Sequence, residues 1–297
     1  MKKPLIPYGW LRAIVFIVIY LLSFLAIGIV LVGILFTIKL AQNGSLPKID
    51  DIKTMMAGSL WANAIINAAA AFLSVWFARK VIDKQSFTSL GFQWKGYETH
   101  AYTGFLGAIA MLCGGTFILL LLKYVSFTDI SFNALALLSG AIMMVLVAFA
   151  EELIFRGYLL NNFMQSMNKW MALSVTALIF ACMHLGNPGM TAFSFLEIFV
   201  AGIMLGVNYI YTKNLWFGVF LHFAWNFMQG PILGYEVSGT NLTPILHQTL
   251  NGPAILTGGS FGFEGSVLCM LLNLIFIAVL VMKYEKGAST NASLLVS

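Results

Sequence analysis

The sequence predicts an all-α fold, a polytopic membrane bundle of about eight transmembrane helices. Hydrophobic residues make up 60% of the 297 residues and charged residues only 9%, whereas a soluble domain carries about 25% charged residues. The hydrophobic residues are grouped in long runs, and a helix needs roughly 20 of them to cross the hydrocarbon core of a bilayer. The short alternating segments that build β-barrels are absent from the sequence. We therefore expect one helical bundle.

Eight apolar runs define the helices in chain order. They span residues 11–38, 57–78, 101–122, 132–160, 170–185, 193–211, 215–228 and 265–282. The first run follows a basic N-terminus and contains no small-residue cleavage site, so we expect a signal-anchor helix that is retained. The seventh run is the shortest and is expected to tilt little or to re-enter the membrane. The chain thus divides into an N-terminal part with three helices, a core, and an outer loop with the last helix, at residues 1–131, 132–229 and 230–297.

Two local patterns set expectations for helix packing and for one loop. The third helix carries small residues four positions apart at Gly104/Ala108 and Ala110/Gly114, a spacing that lets a neighbouring helix approach closely. Residues 79–84, Arg-Lys-Val-Ile-Asp-Lys, are typical of a basic juxtamembrane loop. Substrate steering or lipid contact is the alternative interpretation of that loop.

The basic residues predict the orientation of the chain. With the N-terminus inside, eleven Lys and Arg fall in cytoplasmic segments and four in outside loops. This bias favours a multi-pass membrane protein with both termini in the cytoplasm. It also accounts for the formal charge of +5 without a nucleic-acid partner. Residues 230–264 contain no Lys or Arg, as expected of an outside loop.

The cysteines indicate neither a disulfide framework nor a Cys-rich metal site. The three residues, Cys113, Cys182 and Cys269, lie far apart in apolar runs. An odd and scattered set of this kind does not fit paired cross-links, and its spacing does not fit a structural zinc site.

The strongest functional signal is a group of charges inside the fourth helix. Glu151, Glu152 and Arg156 follow a long apolar run, and each charge costs roughly 2.5–3.5 kcal/mol on membrane-insertion scales. Glu152 and Arg156 are i, i+4 neighbours and can pair. Glu151 lies about 100° around the helix axis and lacks this partner. One carboxylate is therefore expected to support the site while the other acts as a general base or acid.

Two further apolar helices carry polar side chains that could face these charges. Phe180 and His184 share one face of the fifth helix, and His222 and Asn226 share one face of the seventh. Polar side chains on a short apolar helix are costly unless they meet polar partners. The other two histidines, at positions 100 and 247, lie in predicted loops.

The combined set is consistent with two chemistries. Glu151 could take a proton from water while His and Asn side chains stabilise an oxyanion. Alternatively, Glu151, His184 and His222 could bind a zinc ion, although the local HExxH spacing is absent. We favour no metal or other cofactor. Glu197 near the start of the sixth helix is interpreted as interfacial, and Glu264 as the first residue of the eighth helix.

At these residues the chain resembles the CPBP family of intramembrane endopeptidases, also called the Abi or CAAX-protease and bacteriocin-processing family. The EExxxR motif matches Glu151, Glu152 and Arg156, the FxxxH motif matches Phe180 and His184, and the HxxxN motif matches His222 and Asn226. Each motif alone is short, but three in order on predicted membrane helices are specific. The resemblance covers residues 134–229, and residues 83–92 also look like the loop that precedes the family's core.

The resemblance implies a role for each motif residue. Glu151 with His184 activates water, His222 and Asn226 stabilise the oxyanion, and Glu152 and Arg156 hold the geometry. A glutamate mechanism without bound metal is the reading we favour for the family. Relatives in eukaryotes cut prenylated CaaX proteins, and bacterial relatives act in bacteriocin maturation and immunity. With this resemblance we expect the chain to lie in a bacterial cell membrane, but nothing in this sequence indicates prenyl recognition.

The predicted partners are membrane lipid and a protein or peptide substrate, and the oligomeric state is left open. We expect a mid-membrane cavity that opens toward the cytoplasm. Two alternatives to a protease remain. A non-catalytic immunity or scaffold protein would bind a bacteriocin or receptor without using Glu151. A transporter could use the same carboxylates, although no internal repeat supports it.

Overall fold

The computed structural model describes residues 3–43 and 60–294. Eight helices, named α1 to α8 in chain order, correspond to the eight apolar runs. Their bounds are α1 Gly9–Asn43, α2 Leu60–Phe77, α3 Glu98–Leu121, α4 Ala134–Glu152, α5 Lys169–Met183, α6 Ala192–Val207, α7 Trp216–Phe227 and α8 Val267–Leu294. The first three residues of the predicted second helix, 57–59, lie outside the described residues.

Several helices continue in a different helical geometry. A π-turn follows α2 at Ala78–Ile82, and another follows α7 at Met228–Ile232. The helix α4 passes into a π-helix at Leu153–Leu160 and ends with the turn Asn161–Phe163, and Tyr209–Thr212 extends α6. The shorter pieces are Phe87–Leu90, Ala254–Thr257, Gly259–Phe261 and Phe263–Gly265.

Six helices in the described part of the chain are long and apolar enough to cross a membrane. They are Gly9–Gln42, Leu60–Ile82, Glu98–Leu121, Ala134–Phe163, Ala192–Thr212 and Val267–Gly287. The helices α5 and α7 have 15 and 12 residues and are too short to count by the same measure. The predicted all-α polytopic bundle is confirmed, whereas the number of eight spanning helices is not.

Small residues let α3 and α7 pack closely. A Cβ atom added to Gly104 of α3 would lie 2.5 Å from the carbonyl oxygen of Phe217 in α7. Ala108, one turn further along α3, is fully buried. The second predicted pair is wrong, because Ala110 is exposed and a Cβ on Gly114 would meet no atom within 4 Å. Only one of the two small-residue faces therefore packs against a helix.

A buried ion cluster joins four segments at one end of the bundle. Asp83 accepts hydrogen bonds from Arg12 of α1 at 3.2 Å and from Arg79 at 2.8 Å. Tyr158 donates to the same carboxylate at 3.3 Å, and Arg12 donates to Gln165 at 2.6 Å. Arg79 and Asp83 are buried, so the interpretation of this segment as a basic juxtamembrane loop is wrong at these two positions.

Polar contacts bring further helix ends to the same end of the bundle. His100, in the first turn of α3, contacts the hydroxyl group of Tyr284 in α8 at 3.1 Å. Lys169 at the start of α5 pairs with Glu285 of α8 at 3.5 Å. The prediction of a loop at His100 is wrong. The start of α1 and the described part of the end of α8 therefore lie on one side of the bundle.

The opposite end carries a small antiparallel sheet. The strands β1 (Val125–Ile130) and β2 (Leu246–Leu250) pair from Val125↔Leu250 to Ile130↔Leu246, with a bulge between Phe127 and Asp129. His247 was expected in a loop but lies in β2, where its Nε2 contacts the hydroxyl group of Ser131 at 2.8 Å. These short strands lie in connecting segments that the apolar runs did not resolve.

Candidate functional site

The two adjacent glutamates face different neighbours because successive helical residues differ by about 100° around the axis. Glu152 is fully buried against α7, where a Cβ atom added to Gly218 would lie 2.5 Å from its Oε2 atom. The side chain of Glu151 is 17% exposed and lines a cavity. The π-helix begins directly after these residues, and such helices recur at functional sites.

Arg156 compensates the charge of Glu152. Its Nη1 atom lies 2.7 Å from Glu152 Oε1, and its Nη2 atom donates to the carbonyl oxygen of Gly202 at 2.9 Å. The guanidinium group also lies over the Phe180 ring at 4.9 Å from its centroid. Both charged side chains are buried behind the cavity wall. The predicted i, i+4 pair thus ties α4 to α6.

His222 bridges the two carboxylates. Its Nδ1 atom lies 3.0 Å from Glu152 Oε1, and its Nε2 atom lies 3.8 Å from Glu151 Oε2. An ionised carboxylate can only accept a hydrogen bond, so Nδ1 is the donor to Glu152. The Nε2 atom is thereby directed toward Glu151. A carboxylate that fixes an imidazole in this way is a frequent element of hydrolytic sites.

His184 is oriented by the backbone one turn earlier. It caps the C-terminal end of α5, and its Nδ1 atom lies 2.8 Å from the carbonyl oxygen of Phe180. A carbonyl group only accepts, so Nδ1 carries the proton and Nε2 keeps its lone pair. The Phe180 ring centroid lies 4.6 Å from the His184 ring and 6.3 Å from the His222 ring.

Asn226 lies one turn beyond His222 on the same face of α7. Both residues are buried, with exposed fractions of 6% and 7%, and both line the cavity. The side-chain amide can donate two hydrogen bonds into this space.

A cavity of about 410 Å³ brings the predicted residues together. This volume is within the roughly 300–1,000 Å³ of small-ligand sites. The predicted residues on its wall are Glu151, Phe180, His184, His222 and Asn226. Glu152 and Arg156 are packed behind that wall and do not line the cavity.

The cavity extends toward the side opposite the start of α1. Its lining includes Asn63 and Asn67 in the first turns of α2, Asn187 after α5, and Ser238 in the segment after α7. Each of these lies near the helix ends that are remote from the Arg12–Asp83 cluster. The expectation that the cavity opens toward the cytoplasm stays a prediction.

Two more carboxylates on the wall were placed incorrectly by the sequence interpretation. Glu197 was expected at the interface, but it is fully buried and accepts hydrogen bonds from Asn273 at 2.5 Å and Cys269 at 3.3 Å. Glu264 precedes α8 in a 3-10 turn and accepts from the Ser238 hydroxyl group at 2.6 Å. The position of Glu197 within an apolar run was the sequence feature that could have predicted its burial.

Tyr20 is a further lining residue that the sequence did not reveal. It lies in α1, donates to Asn67 Oδ1 at 2.7 Å, and faces the cavity. A tyrosine in a long apolar run gives little functional signal, because such residues usually serve packing.

The predicted zinc alternative receives no matching ligand group. Among residues 3–43 and 60–294, no three His, Cys, Asp or Glu side chains are grouped so that they could hold one metal ion. Glu151, His184 and His222 line one cavity but do not form such a group.

Comparison with known proteins places these residues in one family model. Residues 133–228 match the model described as "type II CAAX prenyl endopeptidase Rce1-like". The match spans α4 to α7 and contains all seven predicted site residues. No curated protein and no solved structure matches the chain.

Proposed function

We propose that the protein hydrolyses a peptide bond of a membrane-associated protein or peptide, because residues 133–228 match the Rce1-like model of a membrane endopeptidase family. The observation that carries this proposal is the convergence of Glu151, His184, His222 and Asn226 on one cavity. A buried cavity with a carboxylate, two imidazoles and an amide has the groups needed to activate water and stabilise an oxyanion.

Glu151 is the general base. Its Oε2 atom has no hydrogen-bond partner among the described residues, so it can accept a proton from a water molecule. His184 accepts the second hydrogen bond of that water through the lone pair on Nε2. The water oxygen then bonds to the substrate carbonyl carbon while its proton moves to Glu151. The C–N bond breaks as Glu151 returns this proton to the leaving amine.

His222 and Asn226 stabilise the oxyanion that develops on the carbonyl oxygen. An imidazole protonated on both nitrogens donates Nδ1–H to Glu152 and Nε2–H to the oxyanion. The Asn226 amide supplies a second donor. Removal of one such donor typically costs about 10²–10³ in kcat. Glu152 and Arg156 position His222 and do not touch the substrate.

Cleavage of a peptide and lipopeptide library by the purified protein in detergent tests the proposal. We expect Glu151→Gln and His184→Ala to lower cleavage by about 10²–10⁴, the range of general acid–base catalysis. Asp129→Asn is the matched control, because Asp129 is an exposed carboxylate in β1 that does not line the cavity. Undiminished cleavage by Glu151→Gln refutes the assigned base.

Two additional arms address the substrate and the metal. The library contains prenylated and unprenylated versions of the same peptides, because the prenyl substrates of the family are not assumed for this chain. Each variant is also measured with a chelator. Equal cleavage with and without chelator supports a glutamate mechanism, and loss of cleavage with recovery on added zinc supports a metalloendopeptidase.

A further inference from the structure

The proposed mechanism leaves two carboxylates of the cavity wall without a role. Glu197 of α6 and Glu264 before α8 both line the same cavity as Glu151. Both are buried, with exposed fractions of 0% and 6%. A buried carboxylate is expensive unless it is paired, so these two residues need a partner.

Only one of the two carboxylate oxygens of Glu197 accepts hydrogen bonds from the described residues. Its Oε1 atom accepts hydrogen bonds from Asn273 and Cys269 of α8, which fix the position of the side chain. Its Oε2 atom is buried and has no hydrogen-bond partner in the described part of the chain. The remaining acceptor is therefore available to a group that enters the cavity.

Glu264 is fixed in a similar way by the segment that follows α7. Its Oε1 atom accepts from both the backbone N–H and the hydroxyl group of Ser238. Burial raises the pKa of Glu264, while the Ser238 hydrogen bonds oppose that rise. Glu264, His184 and His222 all line the same cavity.

The described part of the wall contains no Lys or Arg. Among the described lining residues there are three glutamates, Glu151, Glu197 and Glu264, and no Lys or Arg. Residues 230–264, which contribute part of the lining, also contain no Lys or Arg in the sequence. Among the described residues of this wall, therefore, no Lys or Arg pairs with Glu197 or Glu264.

Helix geometry gives the distance along α6 from Glu197 to the level of Glu152, the neighbour of the proposed base Glu151. Leu205 of α6 lies at the level of Glu152, because a Cβ atom on Gly218 would approach the Glu152 carboxylate at 2.5 Å and the Leu205 carbonyl oxygen at 3.2 Å. Glu197 precedes Leu205 on α6 by a rise of about 12 Å. An extended peptide advances about 3.3–3.6 Å per residue, so this distance corresponds to about three or four residues.

We propose that Glu197 and Glu264 form a subsite for a cationic side chain, Lys or Arg, of the substrate peptide. The basic residue lies about three or four positions from the scissile bond. This assignment rests on the proposed endopeptidase function. Asn273 and Ser238 hold the two carboxylates in place, and the cation supplies the missing partner for Glu197 Oε2.

Binding to an inactive protein tests the subsite independently of cleavage. The probes are fluorescent peptides of neutral sequence that differ only in one Lys or one Gln at the same position. We expect the Glu151→Gln protein to bind the Lys peptide at least tenfold more tightly than its Gln partner at the favoured position. Adding Glu197→Gln or Glu264→Gln to this protein should bring the ratio to about one, whereas adding Asp129→Asn should preserve it.

The outcomes separate the subsite from the proposed function. Equal binding of the Lys and Gln peptides at every position overturns the subsite, even if both are cleaved by the wild-type protein. Lys-selective binding that depends on the two glutamates, without any cleavage by the wild type, supports the subsite and refutes the endopeptidase. The peptide comparison needs no variant of the wall, so it decides the question even if Glu197→Gln does not fold.

Discussion

A single methyl group at Gly218 is predicted to disable the site without touching a catalytic atom. A Cβ atom at this position would lie 2.5 Å from Glu152 Oε2 and 3.2 Å from the carbonyl oxygen of Leu205. Glu152 cannot move freely, because Arg156 at 2.7 Å and His222 at 3.0 Å both hold its Oε1 atom. The helices α7 and α4 must therefore separate, or the carboxylate must leave its partners.

Both responses have a calculable cost. Forcing extra volume into a packed interior costs about 1–3 kcal/mol, and losing a hydrogen bond to a charged group costs about 1.5–3 kcal/mol. We expect Gly218→Ala to lower the free energy of unfolding by about 2–4 kcal/mol on these grounds. A displacement of His222 by about 1 Å should also reduce cleavage on the order of 10²-fold.

The assay compares Gly218→Ala with Gly114→Ala. Both glycines lie in helices, but a Cβ atom on Gly114 would meet nothing within 4 Å. Gly114→Ala should be neutral or more stable by about 0.5–1 kcal/mol, because alanine is the better helix former. Thermal unfolding in detergent and the rate of peptide cleavage are measured for each. Wild-type activity and stability in Gly218→Ala would show that the close contact with Glu152 is not required.

Three further predictions concern other parts of the chain. Asp83→Asn removes the carboxylate between two buried guanidinium groups and should destabilise the fold by about 3–5 kcal/mol. The exposed control Asp129→Asn should change stability by less than about 0.5 kcal/mol. Similar unfolding temperatures for the two variants would contradict this prediction. Gly104→Ala places a Cβ atom 2.5 Å from the Phe217 carbonyl oxygen and should cost about 1–3 kcal/mol, measured by thermal unfolding, and an unchanged midpoint would exclude the close contact. Because burial raises the pKa of Glu264 above its ordinary value of 4.5, its carboxylate takes up a proton at a pH higher than 4.5 when the solution is acidified. The Lys-over-Gln binding preference should therefore fall as the pH decreases through the raised pKa, and a preference that persists down to pH 4.5 would be inconsistent with an ionised Glu264 as the binding group.

The positions of the helices and the candidate catalytic residues could be predicted from the sequence, because a polar side chain that faces lipid carries a large free-energy cost. A lipid-facing polar group has no water to pair with, so the apolar runs mark the helices and the interrupting charges mark the site. The i, i+4 spacing then fixed which side chains share a face. It predicted that Glu152 meets Arg156 and that His222 and Asn226 face the same space.

Contacts between distant segments could not be read in the same way. The spacing did not show that His222 binds Glu152, that Glu197 meets Asn273, or that the loop residue Glu264 reaches the wall. Each of these depends on how helices cross, which small residues such as Gly218 decide through close approach. The short strands were missed for the same reason, because their pairing joins residues more than a hundred positions apart.

The sequence by itself determined that this chain is a membrane helical bundle and which of its side chains are too costly to serve packing alone. The free energy of burying a side chain depends on the type of that residue, so the pattern of apolar and charged residues along the chain indicates which segments are buried. Only the tertiary structure decided that Glu151 faces a cavity while Glu152 lies behind its wall, and that the cavity extends away from the start of α1. Those properties depend on distances between helices, and a linear sequence contains no such distances.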